Sequence, residues 1–199
     1  MALNIEQYLG AVQQNGGLAT ALPLSATSTL AVTGASTLTG DVTCAGNLSV
    51  TGTTTYSGAT VGGKRTIVSG SGATVTLTAA QSGSVCLFDR AAGIVFTLPA
   101  PAVGLTFDFV TTVSITSNAA EVDTSSSSVF ILGNVINEKT DGTMLACFAN
   151  GTSTVKIASN GTTTGGLLGG RFNLTCISAT VWLISGTVEG SGTIATPFA

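Results

Sequence analysis

The chain contains no histidine and few charges: six Lys or Arg and nine Asp or Glu among 199 residues, a charged fraction of 8%. Without histidine, the side chain best suited to proton transfer near neutral pH and a leading metal ligand is missing. Six basic residues within a formal net charge of -3 exclude a broad phosphate-binding footprint, so no nucleic-acid partner is expected. Low charge does not signal disorder here. Disordered chains combine low hydrophobicity with strong net charge, whereas 44% of these residues are hydrophobic. Solubility must come from Ser, Thr, Asn and the backbone.

Long apolar runs are also absent. The best candidate, Ile94 to Val103, is broken by Pro99 and Pro101 and falls short of the roughly 18 to 20 residues a helical span requires. No membrane partner is expected. Met1 to Gln14 lacks a basic start followed by an apolar run, so no secretory signal is read and the chain is expected to fold where it is made. The four cysteines, Cys44, Cys86, Cys147 and Cys176, have no paired C-x-x-C spacing. They read as small apolar residues within strands, and with no histidine beside them no metal site is expected.

What the chain does have is glycine in register. Gly34, Gly40, Gly46, Gly52 and Gly58 recur every sixth residue. Between them the even positions are mostly apolar or tiny, and Leu30, Val32, Leu38, Val42, Cys44, Leu48, Val50 and Tyr56 are the large members. The odd positions are nearly all small and many bear hydroxyls. Successive strand side chains point to opposite faces, so a repeat of even length keeps one face inward through every unit. Regular glycine marks sharp corners or close backbone approach.

Five hexads build fewer than two coils if one chain must supply three units per turn. Three identical chains, each giving one side of every coil, would bring the eight named even positions together as a trimer core. With strands about 4.8 Å apart, the stalk would stand about 25 Å tall. Cys44 lies in the inward register, so three copies would approach one another there.

Before the stalk, Ile5, Tyr8, Leu9 and Val12 fall at helical spacing and Asn15-Gly16-Gly17 gives a stop, which predicts a short amphipathic helix over residues 3 to 14. A helix of this length needs a surface. Two readings stand, its own trimer or a binding partner.

The predicted organisation is a 1–29 arm with the helix, a 30–62 hexad stalk and a 63–199 β domain. In the last part, short strands are predicted at Thr66 to Val68, Ala73 to Thr78, Ser84 to Phe88, Ile94 to Leu98, Thr106 to Thr112, Val113 to Thr116, Val129 to Leu132, Thr143 to Ala149, Thr154 to Ala158, Phe172 to Ile177 and Thr180 to Ser185. Asp141-Gly142, Asn150-Gly151 and Asn160-Gly161 are turn signals. The fold class is all-β, with an antiparallel β-sandwich or jelly-roll-like C-terminal domain.

Several motifs carry little. Gly58-Ala-Thr-Val-Gly-Gly-Lys64-Arg65 fails the phosphate-loop pattern where Arg65 replaces the magnesium-binding hydroxyl, and no strand-to-helix context surrounds it. A basic hinge between stalk and head fits better. Asp89, Asp108, Glu121, Asp123, Glu138 and Asp141 could supply a glycosidase pair only if two faced each other at a set separation. Calcium binding by Asp123 or Asp141 lacks a recognisable oxygen-rich loop. Asn47, Asn150, Asn160 and Asn173 match the glycosylation acceptor pattern, which is accidental in a chain rich in Asn, Ser and Thr. Trp182 and Tyr56 are aromatic enough to stack on sugars, with packing the favoured reading for Trp182. No cofactor and no enzymatic activity are expected.

The run Leu30-Ala-Val-Thr-Gly-Ala-Ser-Thr-Leu-Thr-Gly through Leu48-Ser-Val-Thr-Gly-Thr-Thr-Thr resembles repeats in trimeric fibre and spike proteins of tailed bacteriophages. Ala73-Thr-Val-Thr-Leu-Thr-Ala-Ala-Gln-Ser-Gly-Ser-Val-Cys-Leu-Phe-Asp, with Phe96-Thr-Leu-Pro-Ala-Pro-Ala-Val-Gly-Leu-Thr-Phe-Asp-Phe-Val, is similar to small virion proteins that decorate or protrude from phage heads. The resemblance implies a homotrimer seated on the major capsid protein at threefold positions, a head fibre or cement protein of the virion made in the host cytoplasm. Ile5, Tyr8, Leu9 and Val12 are the expected capsid-binding anchors. The alternative is a receptor-binding fibre or spike tip that recognises host surface glycans. The stalk is shorter than in typical long fibres, which favours the head.

Overall fold

The computed structural model describes residues 42–45, 49–51, 65–70 and 72–199. The chain divides into two units, Met1–Ser57 and Gly58–Ala199. In the first, Val42 is 61% and Val50 51% exposed, and Cys44 is exposed. The predicted helix with Ile5, Tyr8, Leu9 and Val12, and the stalk positions Leu30, Val32, Leu38, Leu48 and Tyr56, lie outside the described residues.

The second unit is all-β. Its strands are β1 (Ile67–Ser69), β2 (Thr74–Thr76), β3 (Val85–Phe88), β4 (Ile94–Thr97), β5 (Thr106–Thr111), β6 (Ala120–Asp123), β7 (Phe130–Glu138), β8 (Met144–Asn150), β9 (Lys156–Ser159), β10 (Arg171–Ser178) and β11 (Val181–Glu189). Among the described residues the only helical element is a three-residue 3-10 turn, Ala79–Gln81. There, the Gln81 side chain accepts from the Thr78 backbone N–H at 2.9 Å.

The strands form a seven-stranded sheet, ordered β1-β3-β5-β10-β11-β7-β8, and a four-stranded sheet, ordered β2-β4-β6-β9. From β1 to β6 the chain alternates between sheets: β1, β3 and β5 stack in parallel in the larger, and β2, β4 and β6 do so in the smaller. This winding makes three stacked coils. The hairpin β7-β8 follows, β9 closes antiparallel on β6, and β10 and β11 return to join the two parts of the larger sheet.

The antiparallel sandwich expected from the sequence is thereby corrected. Five of the nine strand pairings are parallel. A parallel pair needs a crossover, and in four of the five, all within β1 to β6, that crossover is a single strand of the opposite sheet, which the spacing of short strands and turns cannot distinguish from a run of hairpins. Of the three Asx-Gly signals only Asp141-Gly142 closes a hairpin, where Lys139 N–H donates to Thr143 O at 2.9 Å. At Asn150 and Asn160 the side-chain amide oxygens accept backbone N–H groups of Thr152, Ser153, Thr162 and Thr164. These Asx turns lead the chain out of its sheet.

Alternation of inward apolar residues builds the core. Val68, Cys86, Phe109 and Phe172 are register neighbours across the larger sheet, and Phe96, Val122 and Ile157 across the smaller. All seven are buried in one cluster. Phe96 meets Phe88 and Phe109 edge to face, which locks one sheet on the other. Trp182 is fully buried against Phe107, with ring centroids 6.0 Å apart, so packing claims its ring. Cys86, Cys147 and Cys176 are buried within strands. Burial, then the Asp108 charge, pushes the Cys86 thiol up to about 12.

Candidate functional site

The outer face of the larger sheet carries the most distinctive chemistry. Asp108 points outward from β5 between inward Phe107 and Phe109, as alternation requires. Its register neighbours are Val85 on β3 and Asn173 on β10, and Asn173 is opposite Ser185 on β11. Arg65, just before β1, reaches across this row. Its Nε donates to Gly83 O at 2.7 Å, one terminal nitrogen donates to Ser84 O at 3.1 Å, and the other pairs with the Asp108 carboxylate. Asn173 Nδ2 donates to Asp108 Oδ1 at 2.7 Å, and its Oδ1 accepts from Thr175 Oγ1 at 2.8 Å.

Burial alone would raise the Asp108 pKa. Hydrogen bonds from Asn173 and Arg65, with the charges of Arg65 and Arg171, outweigh it and hold the carboxyl below the usual range. The row borders a concavity of about 630 Å³ lined by Arg65, Asp108, Arg171, Asn173, Ser185 and Thr187 among others. Arg171 is exposed there and forms no salt bridge among the described residues. Two guanidinium groups against one committed carboxylate leave the hollow positive, with amide and hydroxyl groups around it. Such a surface suits an anionic or polyhydroxylated ligand.

Arg65, read from sequence as a hinge residue, is anchored to the β domain by these three contacts. The other carboxylates weighed from the sequence are distributed around the molecule. Asp89 accepts from Ser69 Oγ at 2.5 Å and Gly70 N at 3.1 Å. Glu121 pairs with Lys156 at 3.5 Å. Asp123, two residues on, is pushed above the ordinary range by burial and then by the Glu121 charge. Asp141 pairs with Lys139 at 2.7 Å and accepts from Thr143 N at 2.9 Å. Among the described residues no group of three or more His, Cys, Asp or Glu is placed to hold a metal ion.

A second surface lies at the far edge of the same sheet. On β8, Cys147 and Ala149 turn inward, while Met144 is 63% and Phe148 74% exposed. Leu132 on β7 and its register partner Leu183 on β11 are also exposed. The sequence reading missed both surfaces. Alternation puts Met144 and Phe148 on one face, but only the packed fold says that this face looks outward.

Comparison with family models, with curated proteins and with solved structures finds no match in any of the three.

Proposed function

We propose that the protein is a structural component of a tailed-phage virion: a homotrimeric capsid decoration or head-fibre protein. Its N-terminal arm binds the major capsid protein and its β domain projects outward. The observation that carries this reading is the glycine hexad from Gly34 to Gly58 with its apolar even register, which one chain is too short to wrap into a closed core and three chains are not. The exposure of Val42 and Val50 in a single chain fits side chains that await partner copies.

The mechanism is bridging. Three weak arm contacts on one trimer act together, since each later contact is effectively intramolecular. Deleting residues 1 to 15 is expected to abolish attachment to capsids and leave the trimer intact. A truncated trimer that still saturates capsids overturns the assignment.

The positive hollow at Arg171 favours a second reading, a spike tip that binds acidic host glycans. A glycan array probed with the full chain and with Arg171→Ala decides it. Arginine-dependent retention of acidic glycans supports the tip, and no retention removes it.

A further inference from the structure

Of the four sheet edges, three are blunted. β1 and β2 are three residues long. β9 is covered by the C-terminal residues, where Ala158 N donates to Pro197 O at 2.8 Å and Phe198 bridges Ile157. The fourth, β8, is seven residues long and reads Met-Leu-Ala-Cys-Phe-Ala-Asn, without charge or proline. Natural sheets protect long exposed edges with lysine, proline, bulges or a cover, because bare N–H and C=O groups recruit another strand. This edge has none of these among the described residues.

Its hydrogen-bond parity is fixed. Lys139 N donates to Thr143 O and Gly151 N to Ile131 O, each at 2.9 Å, and the register between β7 and β8 is continuous between them. Antiparallel pairs alternate, so odd residues of β8 spend their N–H and C=O on β7. Met144, Ala146 and Phe148 turn theirs to the open edge. The side chains of the same three residues lie on the outer face.

We propose that this edge pairs with β8 of a second copy, antiparallel about a twofold axis through the two Ala146 residues. In that register Met144 of each copy stands opposite Phe148 of the other, with only the small Ala146 pair between them. All three are hydrogen-bonded pairs by parity, giving about six backbone bonds. The large exposed side chains cover each other and the edge closes. A charged or bulky residue at 146 would not allow this, and an edge built for an unlike partner has no need of such symmetry.

This interface goes beyond the trimer reading, because a twofold contact cannot also be the threefold one. On the trimer reading it joins the β domain of one trimer to that of another.

Sedimentation of the full chain and of Phe148→Lys tests it, since an edge lysine blocks strand addition. The variant is expected to sediment as three chains, and the full chain as a larger assembly, a higher multiple of three. If the trimer reading alone is wrong, the mass halves from two chains to one. Equal masses overturn the interface. A second probe uses Ala146→Cys in a Cys44→Ser background. Paired Cα atoms in such a ladder sit about 5.5 Å apart, inside the disulfide range of about 4.4 to 6.8 Å. Mild oxidation is expected to give a reducible two-chain band. A chain that stays single means that some other strand, or none, occupies the edge, and overturns the proposal.

Discussion

The Phe88 ring on β3 meets the Phe96 ring on β4 edge to face, with centroids 5.4 Å apart and planes at 75°, and the two strands belong to opposite sheets. Phe96 also meets Phe109 at 5.5 Å. It is the ring through which the coils hold the sheets together. Phe96→Ala removes both contacts and leaves a hole in a fully buried site, with an expected loss of about 3 to 5 kcal/mol in denaturant unfolding. A loss below about 1 kcal/mol would mean that the sheets are held elsewhere.

Two glycines on the same hairpin separate backbone strain from steric exclusion. Gly133 in β7 has φ +126, and a Cβ there would lie 2.2 Å from the carbonyl oxygen of Ile184. Gly142 at the turn has φ +85 with nothing within 4 Å. Gly142→Ala is expected to cost about 1 kcal/mol from the left-handed backbone alone. Gly133→Ala adds a clash with backbone that cannot yield and should cost more, about 2 to 4 kcal/mol. Chemical denaturation of both variants checks the order.

The same glycine explains how a strand was misread. Gly133-Asn134 looks like a turn, so the predicted strand stops at Leu132, whereas β7 runs on to Glu138 because Gly133 lets the neighbouring backbone of β11 approach. β6, Ala-Glu-Val-Asp, has no counterpart among the predicted strands: its two acids break the apolar pattern, and they point outward while Ala120 and Val122 fill the core. Val113 to Thr116, read as a strand, is irregular. Ile115 is buried there, and its N–H goes to Gly166 O at 2.8 Å. β3, β4, β5 and β10 were legible because inward and outward residues alternate cleanly in each. Parallel stacking was not, since the partners of Val85, Thr66 and Asp108, lie 19 and 23 positions away with a strand of the other sheet between. The Arg65-Asp108-Asn173 row was hidden for the same reason, as nothing in local sequence joins residues so far apart.

Asp108 should make the fold acid-sensitive. Its folded pKa lies below the ordinary value, so its stabilising contribution is present above about pH 3.9 and is lost as pH falls through the lowered value. Asp108→Asn is expected to cost about 1 to 2 kcal/mol at neutral pH, discounted because Arg65 is about half exposed. The cost should shrink toward pH 3. Melting curves of both proteins across that range check it, and a cost that does not change with pH contradicts it.

Glu138 and Glu189 give the opposite sign. They are register partners on parallel strands, and burial, then the Glu138 charge, holds the Glu189 carboxyl above its ordinary range. The folded state therefore keeps that proton more tightly than the unfolded chain. Stability is lost as pH rises from about 4.3 through the raised value, and the loss persists at neutral pH. Glu138→Gln should stabilise at pH 7 by up to about 1 kcal/mol and make little difference at pH 4. Paired thermal melts at the two pH values read this directly.

Native mass spectrometry of the full chain is the most direct test of the threefold account. Assemblies of the 19.6 kDa chain are expected only in multiples of three. A dominant species of one or two chains would contradict it.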